Sequence, residues 1–167
     1  VGISGRRLEL LEEFKQCHGE RVVCRQMDVN HPEEVMTGFD EFVRLLDGVD
    51  LVVISAGTGA ANPDLKWEPE AATIATNVTG FAAVATSAMR YFLKRGSGHL
   101  VSISSVAALR GSHEAPAYNA SKAFVSNYTE GLRVKAARSG KPIYVTDILP
   151  GFVDTRMAQG EGLFWVA

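Results

Sequence analysis

The sequence has few of the residues that build metal centres and disulfide frameworks. Its 167 residues include two cysteines, Cys17 and Cys24, and four histidines that lie far apart. Neither residue type shows the spacing of a metal or redox motif. We therefore expect no metal site, and we expect reduced thiols, as in a cytoplasmic protein.

Long apolar runs and an excess of one charge are also absent. No apolar stretch approaches the roughly 20 residues of a membrane span, and the opening residues VGISGRR lack the features of a signal peptide. The formal net charge is -2, and lysine and arginine form no block. The sequence therefore indicates neither nucleic-acid binding nor a membrane-bound protein.

Short apolar runs alternate with helical patterns along the chain. Hydrophobic residues make up 46% and charged residues 22%, as in an ordinary globular protein, so we treat residues 1–167 as one domain. The predicted strands are 1–4, 21–27, 50–54, 99–104 and 143–149, and the predicted helices are 8–17, 32–46, 67–95 and 116–138. This alternation of apolar strands with helices predicts an α/β fold, a doubly wound parallel sheet covered on both faces.

A serine, a tyrosine and a lysine follow the fourth predicted strand at a spacing that has a chemical use. Tyr118 and Lys122 are four residues apart, which places both side chains on one face of a helix. An ammonium group stabilises a phenolate, so it lowers a phenol pKa of about 10 and lets the phenol exchange a proton near neutral pH. Ser105, at the strand end, offers a hydroxyl to the same substrate oxygen. A packed tyrosine beside a solvated lysine explains the pair alone, whereas the complete stretch favours catalysis.

The stretch from Ser104 to Lys122 resembles the active-site segment of the short-chain dehydrogenase/reductase family. The resemblance implies catalytic roles for Ser105, Tyr118 and Lys122. It also implies one for Asn77, whose backbone carbonyl supports a proton path to the lysine in that family. An ordinary polar helix residue is the alternative for Asn77. The resemblance covers essentially the whole sequence and implies a Rossmann-like sheet.

Small and polar residues follow nearly every predicted strand. Ligands bind beyond the carboxyl ends of the strands in an open parallel sheet, so these residues meet at one rim. The resemblance implies that they hold a dinucleotide, although Ser55 stands where the family has asparagine. The implied cofactor-binding residues are Asp28, Val29, Ser55, Ala56, Gly57, Tyr118, Lys122, Pro150, Gly151, Val153 and Thr155. Taken singly, Asp28 also fits a helix cap, and Pro150 with Gly151 fits a turn.

The end of the first predicted strand favours NADP(H) over NAD(H). An acid at this point accepts a hydrogen bond from the ribose hydroxyl of NAD and repels the 2′-phosphate of NADP. Here Gly5 stands at that point and two arginines follow it. Because a guanidinium binds phosphate through a planar fork, we expect Arg6 to be the principal ligand. Ser4 is a possible helper, Arg7 contributes less, and two solvated arginines at a helix start are the alternative.

The glycine-rich phosphate loop of the resembled family has no counterpart in this sequence. In that family the loop lies between the first strand and the first helix. We therefore expect a Rossmann-like domain that is incomplete at both ends, without its first strand–helix unit and its last elements.

Together these features predict an NADP-dependent oxidoreductase that acts on a small carbonyl or alcohol substrate. Two alternatives stay open: a non-catalytic dinucleotide-binding regulator, and a sugar-nucleotide epimerase or dehydratase of related fold. The loop 106–117 and the residues after Thr155 are expected to line the substrate pocket, but they do not name the substrate. Extra small and apolar residues on the helices 67–95 and 116–138 predict a homo-oligomer, a dimer or tetramer.

Overall fold

The computed structural model describes residues 1–151, and within them strands and helices alternate. In chain order the elements are β1 (Gly2–Gly5), α1 (Leu8–His18), β2 (Val23–Gln26), α2 (Pro32–Leu45), β3 (Leu51–Ile54), α3 (Trp67–Ile74), α4 (Phe81–Arg95), β4 (Gly98–Ile103), α5 (Pro116–Arg138) and β5 (Ile143–Ile148). Short 3-10 turns occupy Gly19–Arg21 and Val106–Leu109. The second predicted strand therefore begins two residues later than expected, because the 3-10 turn takes its first residue.

All paired strands are parallel, which confirms the predicted α/β class. β1 pairs with β2, and the order in the other sheet is β3, β4, β5. Within residues 1–151 no ladder joins β1 to β3, so the strands form two sheets. Leu51 and Val53 of β3 are about half exposed, at 52% and 51%. Each crossover between parallel neighbours contains a helix, as parallel pairing requires.

Helix α4 supplies more of the buried core cluster than any other element. Phe92 and Leu100 are fully buried, and Phe39 of α2 packs into the same cluster. Burying an aliphatic or aromatic side chain of this size stabilises the fold by about 1.5–3 kcal/mol. The cluster extends to Val125 of α5 and Val145 of β5, so α5 is held against the sheet along its length. This packing fixes the helix that carries the predicted catalytic residues.

The predicted single helix over 67–95 is divided by a π-helical segment, Ala75–Gly80. A π turn contains more residues than an α turn, so it shifts the phase of the side chains that precede it. The apolar spacing placed Ile74 on the buried stripe, but this residue is 41% exposed, whereas Phe81 and Phe92 beyond the shift are buried. Asn77 lies inside the π segment and is 1% exposed. The shift thus turns a polar side chain toward the interior.

None of the helices in residues 1–151 combines the length and the apolar character needed to cross a bilayer.

The carboxyl ends of the strands meet at one rim, where the loops 55–66 and 104–115 lie. Asn62 N donates to Glu114 O at 2.6 Å and joins these two loops. The candidate site is built at this rim.

Candidate active site

Tyr118 and Lys122 lie on the first two turns of α5, which begins at Pro116. Proline at the first helical position has a backbone angle suited to the helix and lacks an N–H that would need a partner. Lys122 Nζ is 5.7 Å from the centre of the Tyr118 ring and donates to Ile103 O at 3.0 Å. That bond uses one of the three ammonium N–H groups. The helical spacing and the end of β4 thus place the cation beside the phenol.

Ser105 follows β4 in extended conformation and begins the 3-10 turn Val106–Leu109. Its Oγ accepts from Ala107 N at 3.1 Å, and its hydroxyl hydrogen goes to no partner within residues 1–151. The Tyr118 hydroxyl likewise has no hydrogen-bond partner among these residues. Asn119, next to Tyr118, donates to Ala107 O at 3.0 Å and fastens the turn to α5. Both hydroxyls therefore have an unused hydrogen within residues 1–151.

Lys122 is 8% exposed, which is unusual for a lysine. Burial lowers the pKa of its ammonium below the ordinary value of 10.5, and the carboxylate of Asp147 opposes part of that shift. Asp147 lies on β5 and accepts hydrogen bonds from Ser102 Oγ at 2.9 Å and Ser126 Oγ at 2.7 Å. Ser126 is one helical turn after Lys122, on the same face of α5. The acid is thereby held on the side of α5 from which the lysine side chain emerges.

Asn77 binds the loop that follows β3 through its side chain. Asn77 Oδ1 accepts from Thr58 N at 2.8 Å, and Asn77 Nδ2 donates to Thr58 O at 2.7 Å. The same Nδ2 donates to Ser121 Oγ at 2.9 Å, and Ser121 Oγ donates to Tyr118 O at 2.8 Å. One buried amide therefore connects the β3 loop to the helix that carries the tyrosine.

Two glycines of this loop allow close approach to the predicted catalytic side chains. A Cβ at Gly57 would lie 3.4 Å from Lys122 Nζ and 3.5 Å from Asn77 Oδ1. A Cβ at Gly59 would lie 2.4 Å from Tyr118 Cδ2, closer than atoms in contact. The Tyr118 ring thus packs directly on the backbone of Gly59.

A cavity of about 360 Å³ opens between the carboxyl ends of β1 and β3. Residues from both strand ends, from the start of α1 and from the π segment line it. Of the predicted cofactor-binding residues, the cavity brings together Ser4, Arg6, Arg7, Val29, Ser55, Ala56 and Gly57. The arginines take part in no ion pair within residues 1–151. The cavity thus combines two cations with small residues that let a ligand approach the backbone closely.

Other predicted residues lie elsewhere. Asp28 is not part of the cavity lining; its Oδ1 accepts from Asn30 N at 3.0 Å in the turn before α2, and α2 itself has no side-chain cap. Pro150 O accepts from Val106 N at 3.0 Å and supports the Ser105 turn, and Gly151 is exposed. Val153 and Thr155 lie outside the described residues.

Three polar residues near the site were missed by sequence reasoning. Asn62 and Glu70 join the β3 loop to the start of α5, and Asp147 lies beneath Lys122. Asp147 carried a usable signal, because it is the one charged residue of β5. Glu70 carried none, since an acid in the first turn of a helix is ordinary.

Comparisons with known proteins identify the family. The model of one protein family, described as short chain dehydrogenase, matches residues 1–163. The chain belongs to the short chain dehydrogenase family. An uncharacterized oxidoreductase of Myxococcus xanthus is 39% identical over 166 residues, covering 94% of this chain and 63% of that protein. One of Staphylococcus aureus strain USA300 is 32% identical over 93% of this chain and 68% of the relative.

Solved structures of the short chain dehydrogenase fold match closely. The closed form of a serine dehydrogenase complexed with NADP+ has a TM-score of 0.82 and 28% identity, over 92% of this chain and 62% of the other. An actinorhodin polyketide ketoreductase with NADPH has a TM-score of 0.82 and 31% identity, over 95% of this chain and 62% of the other. The chain therefore spans about two thirds of the length of the proteins that it matches.

Proposed function

We propose that the protein transfers hydride between NADP(H) and a carbonyl or alcohol substrate, with Tyr118 as the proton donor and acceptor. The observation that supports this most is the Tyr118 hydroxyl, which has no hydrogen-bond partner within residues 1–151. The centre of the Tyr118 ring lies 5.7 Å from Nζ of the buried Lys122. Ser105 adds a second hydroxyl with an unused hydrogen. A non-catalytic regulator has no need for a proton donor held beside a buried cation.

The described residues fit the dinucleotide. The cavity lies at the carboxyl ends of parallel strands, where nucleotides bind in open α/β sheets. Its wall at Ser55, Ala56 and Gly57 has small side chains, which leave the backbone accessible. Arg6 and Arg7 supply positive charge for a phosphate group. Two of the family's solved structures have NADP+ or NADPH bound, which supports the same cofactor here.

In the reductive direction NADPH, when bound, supplies hydride to the carbonyl carbon. Ser105 donates its free hydrogen to the substrate oxygen and holds it. Tyr118 then gives its phenolic proton to the same oxygen, and the product is the alcohol. The charge of Lys122 stabilises the phenolate that remains, and Asn77 keeps the β3 loop and α5 in register around the relay.

The first prediction concerns cofactor choice. Arg6→Ala in the full-length protein should weaken NADPH binding by roughly ten- to a hundredfold, because a hydrogen bond to a charged group contributes about 1.5–3 kcal/mol. NADH, which lacks the 2′-phosphate, should change little. Titration of each nucleotide by fluorescence measures both affinities, and turnover of a panel of aldehydes and ketones measures the activity.

Arg90→Ala is the matched control, since Arg90 is an exposed cation on α4 away from the cavity. It should leave both affinities unchanged. Equal losses of NADPH and NADH affinity in the Arg6 variant, or a wild-type preference for NADH, would contradict the assignment. No turnover of any carbonyl compound with either nucleotide would contradict the proposed activity itself.

The remaining proposals concern the whole protein. We propose a single domain over residues 1–167 that works as a homo-oligomer in the cytoplasm. Phe124, Tyr128 and Leu132 of α5 pack against this chain's own core but are only partly buried by it, which supports a second copy covering the rest of their surface.

A further inference from the structure

We propose that Glu70 is a positioning residue that fixes the start of α5, and with it the Tyr118 ring, relative to the β3 loop. This inference rests on the proposed role of Tyr118 in proton transfer. Glu70 lies on α3, and each of its two carboxylate oxygens accepts a hydrogen bond from a different element.

One oxygen caps α5. The first N–H groups of a helix have no carbonyl partner within the helix, and the residue before α5, Ala115, makes no side-chain cap. Glu70 Oε2 accepts instead from Ala117 N at 3.1 Å. Ala117 immediately precedes Tyr118. A carboxylate at this end of the helix is also favoured by the helix dipole.

The other oxygen holds the β3 loop. Glu70 Oε1 accepts from Asn62 Nδ2 at 2.8 Å. Asn62 is 3% exposed and also forms a two-way pair with the Lys66 backbone, donating to Lys66 O at 2.8 Å and accepting from Lys66 N at 2.9 Å. Because this pair fixes which end of the Asn62 amide is the donor, the asparagine cannot turn over to suit a different partner.

The β3 loop is therefore fastened to the catalytic helix at two places. Asn77 holds its beginning at Thr58, and Glu70 holds its end at Asn62. Gly59, between them, is the residue on which the Tyr118 ring rests. Within residues 1–151, Glu70 is the side-chain acceptor that links the far end of the loop to the first turn of α5. Its loss removes this link on both sides of the Tyr118 contact, while the backbone bond from Asn62 N to Glu114 O remains.

The test is Glu70→Ala in the full-length protein, which removes both acceptors and keeps a good helix former. Amide hydrogen exchange at Ala117 should become about ten- to a hundredfold faster, because the amide loses a bond to a charged group. The NMR signal of the labelled Tyr118 ring should shift. The kcat for carbonyl reduction should fall roughly tenfold or more, while the Kd of NADPH stays within about twofold, since misplacing a catalytic group affects the reaction step.

Glu68→Ala is the control on the same turn of α3, because Glu68 is exposed and makes no hydrogen bond or ion pair within residues 1–151. It should change none of these readouts. Val35→Ala, at a buried position of α2 outside the site, should lower the free energy of unfolding and leave kcat unchanged. These two variants separate positioning from loss of charge and from general instability.

Unchanged exchange at Ala117 and an unchanged Tyr118 signal in the Glu70 variant would overturn the inference. So would a loss of kcat that Val35→Ala reproduces. The exchange and ring measurements do not depend on turnover. If the wild-type protein reduces no carbonyl compound, the proposed activity fails, and these two readouts still decide whether Glu70 positions Tyr118.

Discussion

At the scale of single residues, burial works against a charge on Lys122. The ammonium is 8% exposed, and burial lowers its pKa. Asp147 is the charged group that raises that pKa again, from the neighbouring β5. Its carboxylate accepts hydrogen bonds from Ser102 and Ser126 and forms no ion pair within residues 1–151. No paired cation therefore reduces the effect of its negative charge on the pKa of Lys122. The pKa of Lys122 therefore depends on two opposed effects, burial and the charge of Asp147.

This balance predicts a pH dependence. Asp147→Asn removes the group that raises the pKa of Lys122 and leaves the burial that lowers it. Lys122 should therefore lose its proton at lower pH than in the wild-type protein. The alkaline limb of the kcat profile of the full-length enzyme should move to lower pH, and the NMR titration of the labelled lysine should move with it.

Asp40→Asn is the matched control, since Asp40 is an exposed acid on α2 whose carboxylate makes no ion pair in the described part of the chain. It should leave the alkaline limb in place. If the alkaline limb of the Asp147 variant is unchanged, or moves to higher pH, Asp147 does not raise the pKa of Lys122.

At the scale of elements, the β3 loop and α5 must meet without a side chain between them. Gly59→Ala places a Cβ 2.4 Å from Tyr118 Cδ2 and 3.0 Å from Cγ. Cγ lies near the root of the side chain, so the whole ring must shift. We expect kcat to fall about ten- to a hundredfold, because small misplacements of a catalytic group are costly. Steady-state kinetics measure this.

Gly111→Ala is the control for this substitution. Gly111 lies in the next loop, and a Cβ there meets no atom within 4 Å. It should leave kcat unchanged. Equal activity of the Gly59 variant and the wild-type protein would show that the ring contact does not set the position of Tyr118.

Local sequence patterns predicted α5 and its two site residues, but they did not predict what holds that helix. Pro116, Tyr118 and Lys122 lie within two helical turns of one another, so a local sequence pattern is enough to reveal them. The Glu70 bond to Ala117 joins residues 47 positions apart, which no local periodicity records. The π segment was missed because the helical spacing of apolar residues continues through it at Val78, and only Ile74 departs from the buried stripe.

At the scale of the whole molecule, parallel pairing explains why the site could be located from the sequence. When all strands run the same way, their carboxyl ends share one rim, so residues that follow separate strands meet there. Ser55, Ser105 and Arg6 follow three different strands and all lie at this rim. The cavity lies between β1 and β3, which no ladder joins within residues 1–151.

The central claim is that Tyr118 transfers the proton in an NADPH-dependent carbonyl reduction. Its most direct test compares Tyr118→Phe with the full-length wild-type protein, using Tyr144→Phe as the control, because Tyr144 is an exposed tyrosine on β5. The account predicts that Tyr118→Phe reduces turnover to background while its NADPH affinity stays near that of the wild-type protein, and that Tyr144→Phe retains full activity. Near-normal kcat in the Tyr118 variant would contradict it.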